Sequence, residues 1–146
     1  LPGQGGLLSV EAGTGAVGLK VTPGAEVKHF GTVTGTWERE GELLAISEFA
    51  EKPELEYARA NLQTDGMAAD QFLTVFGQYV LPPRLFELLG EQISGKLRER
   101  GEYQLTSCLD HLRQEDGFAG VVVKGRRFDI GLPEDYRQTV IEYRNA

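Results

Sequence analysis

Cysteine is almost missing from this chain. Cys108 stands alone, which excludes an internal disulfide and any cysteine-built metal cluster and fits a reducing cytoplasm. Histidine is nearly as scarce: His29 and His111 are the only two, too few for a histidine-rich metal site. Basic residues are in the minority, 15 against 22 acidic ones for a net charge of −7. That balance argues against general nucleic-acid binding, which needs a basic stripe, and it sets an unfavourable long-range field for any phosphate-bearing ligand. Such a ligand would need local cations or a metal. No apolar run approaches the roughly 20 residues of a membrane helix, and the opening residues do not read as a basic-then-apolar leader. No G-x-x-x-x-G-K-[ST] phosphate loop occurs, and there is no internal repeat or long charge block.

What is present is the composition of a globular domain, 40% hydrophobic and 25% charged over 146 residues. One domain of that size can bury roughly two thirds of its unfolded surface. The chain begins at Leu1 rather than at a methionine. The expectation is a processed chain or a piece excised from a longer protein.

The opening stretch is rich in glycine, and residues 1–20 read as a flexible lead-in. "GTGAVG" (Gly13 to Gly18) matches G-x-G-x-x-G by letter. That motif works only when a helix starts inside it and turns its N-terminus to a pyrophosphate. Here β-branched residues and Pro23 follow, so a dinucleotide site is not expected. "VKHFGTVTGTWE" and "GELLAISEFAEKP" read as strands joined by a turn at Arg39 to Glu42. "ELEYARANLQ" reads as a short helix. "FLTVFGQYVL" reads as a strand buried on both faces. "PRLFELLGEQI" is a helix opened by Pro82-Pro83. "SGKLRERGE" is a solvated connection. "LTSCLDHLRQEDG" is a helix with Thr106 as N-cap and Gly117 beyond its end. "FAGVVVKGRRFDIG" suggests a hairpin turning at Lys124-Gly125, and "LPEDYRQTVIEYRN" a last helix with Pro133 in its first turn. The expected fold is α/β or α+β, a mixed sheet with helices packed on it.

Three places could carry chemistry. In Glu51-Lys52-Pro53 an acid and a base stand side by side at a strand end. Pro53 restricts Lys52 to extended geometry and ends the ladder. A bend there could turn both side chains toward one pocket; the alternative is a solvated edge pair. Asp129, in "GRRFDIG", lies at the end of a hydrophobic segment just before a helix, a fitting place for a magnesium ligand. The alternative is a turn aspartate paired with Arg126 or Arg127. Gly31, inside the strand-like "HFGTVTG", marks close approach of a backbone or ligand, or else a bulge.

Taken in order, "HFGTVTG", "EFAEKP", "ANL", "VFGQYVLPPRLFELL", "GEYQLTSCLDHL" and "GRRFDIGLPEDY" resemble the later half of the sugar-1-phosphate nucleotidylyltransferases, and within them the bacterial UTP–glucose-1-phosphate uridylyltransferases. The resemblance runs from about Val21 to the C-terminus. It implies the later half of a nucleotide-binding α/β sandwich and a reaction that joins a nucleoside triphosphate to a sugar 1-phosphate with loss of pyrophosphate. It further implies that Gly31 offers its backbone to a sugar hydroxyl, Glu51 accepts sugar hydroxyls, Lys52 binds the sugar phosphate, Val75 lines the sugar site and Asp129 holds Mg²⁺. Lys52 and Asp129 would then be the catalytic residues.

The departures matter as much. The family's G-x-G-x-R triphosphate signature and its first metal aspartate are absent. "LTDA" appears as "LTSC", with Ser107 in place of the acid. "GTPED" appears as "GLPED", and Leu132 cannot cap its helix, a loss of about 1 kcal/mol. The stretch between "EKP" and "FGQY" is longer than usual. The chain therefore reads as a single domain or excised sugar-phosphate-binding portion, inactive alone, whose partners would be the missing N-terminal half, the sugar 1-phosphate, the nucleoside triphosphate and, as a homo-oligomer, a second copy. The rival reading is a non-catalytic sugar-phosphate-binding, regulatory or assembly module built on that fold.

Overall fold

The structure is a computed structural model that describes residues 14–99, 101–125, 127–128, 130–131 and 133–143. In chain order the elements are β1 (Gly15–Pro23), a 3₁₀ turn (Gly24–His29), β2 (Thr32–Arg39), β3 (Leu43–Ala50), α1 (Leu55–Asn61), β4 (Gln71–Val80), α2 (Arg84–Ser94), α3 (Leu105–Asp116), β5 (Phe118–Val122) and α4 (Pro133–Tyr143). The expected mixed sheet with helices is there. Its strands pair in the order β1-β4-β2-β3-β5, and β5 returns to β1, so the sheet closes on itself. The β1–β5 contact is parallel, and the other four are antiparallel.

The largest departure from expectation is β1. Residues 15–20 fall within the supposed flexible lead-in, yet they form the strand that closes the sheet; residues 1–13 lie outside the described ones. The glycines misled because they read as loop, whereas here neighbouring side chains demand them. A Cβ on Gly15 would sit 2.2 Å from the Phe118 ring. Val17 and Leu19 alternate with Gly18 and point inward, 1% and 0% exposed. A register shift falls between them, as expected where a glycine interrupts a strand.

The expected return strand after Lys124-Gly125 is not found among the described residues, where β5 ends at Val122. Its absence has a simple cause: β1 and β3 already occupy both sides of β5, so no ladder side is left for a hairpin partner. The same closure leaves no free sheet edge among the described strands, since each has two neighbours. The expectation that β4 is buried on both faces holds only for Phe72 to Thr74; its second half, from Gly77, is largely exposed.

Two apolar clusters hold the fold. The larger packs Leu19, Val33, Leu44 and Leu73 inside the sheet with Leu85 and Leu88 of α2 and Cys108, Leu109 and Leu112 of α3. Each such leucine contributes about 1.5–3 kcal/mol by leaving water. The smaller joins Val27 of the 3₁₀ turn and Ala58 and Leu62 of the α1 region to Phe72. The last helix, α4, buries no residue and leaves Tyr136, Val140, Ile141 and Tyr143 exposed. Among the described residues, no helix is long and apolar enough to cross a membrane.

One polar link fastens α3 to β3. Partial burial pushes the Asp110 carboxyl up. Hydrogen bonds from Arg113 and Gln114, the Arg113 charge and the backbone N–H of Phe49 outweigh it and hold the group below the ordinary aspartate value of 3.8. A carboxyl depressed in the folded state adds stability above its unfolded pKa and loses it as pH falls through the folded value. We therefore expect the Tm to drop as the pH is lowered below about 3.8. Asp110→Asn should start from a lower Tm at pH 7 and show a shallower loss over the same acid range, measured by thermal unfolding monitored by circular dichroism.

Candidate functional site

Three of the residues singled out in the sequence meet at one end of the sheet. Gly31 lies between the 3₁₀ turn and β2, and its carbonyl accepts a 2.8 Å hydrogen bond from the Val75 N–H on β4. A Cβ at Gly31 would lie 3.4 Å from Glu51 Oε2 and 3.4 Å from Val75 Cγ2. The missing side chain is thus what leaves room between a carboxylate and an apolar wall. The glycine serves a close approach, as one of the sequence readings had it.

Glu51 is the first residue beyond β3. Its carboxylate is only partly covered, and Oε1 stands 3.9 Å from Lys52 Nζ, with the lysine side chain 55% exposed and the glutamate 28%. The expected extended Lys52 is not observed. Its φ is +45°, in the left-handed region that side chains and a following proline both disfavour. The physical consequence is the bend itself. Neighbours on a regular strand point to opposite faces, but a left-handed residue at the strand end turns the ammonium round to the carboxylate. Neither partner gains much stability from this, because an exposed ion pair contributes about 0–1 kcal/mol, while a left-handed non-glycine residue costs about 1–2 kcal/mol. Strain without a compensating contact belongs to places that hold a ligand more often than to ordinary turns.

Three residues that the sequence reading had not placed here complete the surroundings. Thr106, expected to cap α3, does not. The cap position is Gln104, which makes no side-chain cap bond, while the Thr106 hydroxyl donates a 2.6 Å hydrogen bond to Glu51 Oε2. Arg127 lays its guanidinium 3.6 Å over the Phe30 ring and donates to the Val75 carbonyl at 3.3 Å, tying the two sides of the Gly31 gap together. Tyr79 is close enough for Glu51 to be felt: burial first, and the Glu51 charge second, push its phenol above the usual value. An aromatic residue just before Gly31 and a threonine two residues after Gln104 were visible in the sequence, but nothing local in it says that the first lies under Arg127 or that the second donates to Glu51.

An open cleft of about 240 Å³ adjoins the carboxylate, lined by Phe49, Glu51, Glu99, Thr106, Ser107 and Asp110. Its wall of carboxylates and hydroxyls suits a neutral, hydroxyl-bearing ligand and repels a bare anion. Lys52 is not among the lining residues; its ammonium stands 3.9 Å from Glu51 Oε1.

Asp129, the expected magnesium ligand, lies outside the described residues, as do Arg126 and Leu132. Among the described residues, no group of three or more histidine, cysteine, aspartate or glutamate side chains could hold a metal ion. Magnesium does not need such a cage, since it keeps waters and substrate phosphates in its shell and takes one or two carboxylates. The donor chemistry of a single aspartate therefore fits that ion.

The arrangement suggests one gap at Gly31 that would be missed in a random strand end, and this gives a direct prediction. Gly31→Ala should fold with little change in Tm, since its new methyl meets only contacts of 3.4 Å or more. It should nevertheless weaken binding of a sugar phosphate by about tenfold or more, because the methyl fills the space between Glu51 and Val75 and small volume errors in a pocket cost about 1–3 kcal/mol. Isothermal titration beside thermal unfolding separates the two effects.

Comparison with known proteins gives the site a context. No family model matches the chain. Over 131 residues it is 30% identical to a UTP–glucose-1-phosphate uridylyltransferase of Staphylococcus saprophyticus, covering 90% of this chain and 40% of that protein. It is 29% identical over 120 residues to a UTP–glucose-1-phosphate uridylyltransferase of Pseudomonas aeruginosa, covering 82% of this chain and 38% of that one. Among solved structures, an apo UDP-glucose pyrophosphorylase superposes with a TM-score of 0.75 at 26% identity, over 97% of this chain and 46% of the other. A UDP-glucose pyrophosphorylase complexed with UDP-glucose gives 0.74 at 27% identity, over 97% and 48%. The resemblance read in the sequence is therefore borne out, and so is the fold class. The chain spans about 40% of the length of the curated relatives it matches.

Proposed function

We propose that this chain carries the sugar-phosphate grip of a nucleotidyltransferase that makes a nucleotide sugar of the UDP-glucose type. The observation that supports it most is the meeting of Gly31, Glu51 and Val75 around one gap, with the Lys52 ammonium turned to the same carboxylate. A sugar 1-phosphate has hydroxyls, an apolar C–H face and a dianionic end. A carboxylate that accepts hydroxyls, a valine wall and an ammonium answer those features in turn.

In the proposed reaction one oxygen of the sugar phosphate attacks the α-phosphorus of the nucleoside triphosphate in line. The new O–Pα bond forms as the bond from Pα to the pyrophosphate oxygen breaks, and pyrophosphate leaves with the electron pair. The attacking oxygen is already ionised at neutral pH, so no general base is required. The difficulty is repulsion between two anions. One cation about 4 Å from a phosphate charge is worth on the order of 4 kcal/mol at an effective dielectric near 20. Lys52 thus holds the sugar phosphate against the field of a chain with net charge −7, and Glu51, Gly31 and Val75 orient the ring so that the phosphate faces its target. Asp129 would hold Mg²⁺, which supplies charge neutralisation on the phosphate oxygens when bound.

The sequence contains no G-x-G-x-R or P-loop segment to cradle a triphosphate. The 146-residue chain by itself is therefore expected to release no pyrophosphate from UTP and glucose 1-phosphate, while the protein joined to an upstream G-x-G-x-R segment does, and loses that activity in Asp129→Asn. Robust pyrophosphate release by the isolated chain would overturn this division of labour. The same missing segment favours one second reading, a module that binds sugar phosphates without turning them over. An unrelated domain upstream in the full gene, with intact glucose 1-phosphate binding, would establish it.

A further inference from the structure

The Glu51 carboxylate is not held by its own strand. Its Oε2 atom takes a 2.6 Å hydrogen bond from Thr106 Oγ1, a residue in the first turn of α3, and that first turn carries no acidic residue of its own. A carboxylate suits this position, because the N-terminal end of a helix carries partial positive charge. We propose that Thr106 is a positioning residue that aims the Glu51 carboxylate at the sugar hydroxyls, so that α3 sets sugar recognition while Lys52 binds the phosphate. This rests on the reading of Glu51 as a sugar-binding residue given above.

The geometry favours aiming over mere fastening. A glutamate side chain has free rotation about several bonds, and this one, at a strand end, keeps about a quarter of its surface in water. With Oε2 tied to Thr106, the freedom left to the carboxylate is small, and the same Oε2 atom faces the Gly31 gap. Oε1 is left toward Lys52. Thr106 itself is held by the helix rather than by the strand, and α3 is anchored in the core through Cys108, Leu109 and Leu112. The carboxylate thus takes its direction from a rigid element, while Lys52 sits on a bend with its ammonium in solvent. Fastening of α3 to β3 does not depend on this bond, because Asp110 accepts from the Phe49 backbone one turn further on.

The test compares glucose 1-phosphate with inorganic phosphate on the 146-residue chain and its Thr106→Val and Thr106→Ser variants. Valine keeps the shape and deletes the donor; serine keeps the donor. Titration calorimetry should show Thr106→Val binding glucose 1-phosphate about tenfold more weakly, with phosphate affinity unchanged, and Thr106→Ser restored to within about threefold. In the ligand-free chain the carbon-13 resonance of the Glu51 carboxyl should move in Thr106→Val and not in Thr106→Ser. An unmoved resonance overturns the contact. A moved resonance with an unchanged ratio of glucose 1-phosphate to phosphate affinity overturns the aiming role and leaves a structural bond. A wild-type chain that binds glucose 1-phosphate no better than phosphate overturns the sugar site itself, and the resonance then tells that failure apart from a failure of the contact.

Discussion

Lys52→Ala is expected to weaken glucose 1-phosphate binding by about 10- to 100-fold, the range for removing one charge-assisted hydrogen bond. Its ammonium lies 3.9 Å from Glu51 Oε1, and in the proposed site it is the cation that offsets the repulsion of a phosphate by a chain with net charge −7. Salt should matter for the same reason: binding by the wild type should weaken from low to high ionic strength as the Lys52 attraction is screened, whereas Lys52→Ala, left with the repulsive field, should bind no more weakly and gain slightly as salt screens that field. Lys52→Gly separates function from stability. The backbone at this residue has φ +45°, a conformation that glycine adopts without penalty. That variant should lose binding as fully as the alanine one, yet unfold at a Tm higher by about 2–4 °C, the shift that about 1 kcal/mol gives in a domain of this size. A binding site that becomes more stable when its cation is removed is what strain held for a ligand looks like.

Gly35→Ala is expected to lower stability by about 3 kcal/mol, the upper end of the range for a methyl forced into packed structure. A Cβ there would lie 2.0 Å from the Ala45 carbonyl oxygen and 2.9 Å from its carbon. Both are backbone, so no side chain can swing aside. Gly35 stands at the register shift in the β2–β3 pairing, and moving Ala45 would also disturb its pairing with Ala119 on β5. In a closed sheet that strain has no free edge at which to relax. The Tm should fall by about 6–12 °C, read by circular dichroism. Gly90→Ala is the control. It lies inside α2 with nothing within 4 Å of its would-be Cβ, and it should raise stability by about 0.5–1 kcal/mol through helix propensity alone.

These residues also mark how far the sequence could be read. The strands β2 and β3 and the four helices followed from alternation, β-branched runs and helix-end signals, because each depends on neighbours in sequence. β1 did not, because its glycines are set by Phe118 on the other side of the sheet, and local propensity has no access to that. Closure of the sheet was hidden for the same reason: the parallel β1–β5 ladder joins two ends of the fold. In the site, the residue types at Gly31, Glu51 and Lys52 were legible through the resemblance. Their meeting with Val75 needed the fold, since it depends on β4 lying beside β2. Thr106 shows the limit most clearly. By local rules it is a helix cap, but the structure gives its hydroxyl a distant carboxylate to serve. Lys52 shows it too, because the rule for a residue before proline points to extended backbone and the bend at the strand end overrides it.

The measurement closest to the central claim is a titration of the nitrogen-15-labelled chain with glucose 1-phosphate, followed by amide shifts. Saturable shifts should gather at Gly31, Glu51, Lys52 and Val75 and at Thr106 behind them. Inorganic phosphate should move Lys52 while leaving Val75 in place. Shifts that gather elsewhere, around Arg59 and Asp70 for example, or no shift at millimolar glucose 1-phosphate, would contradict a sugar-phosphate grip at this end of the sheet.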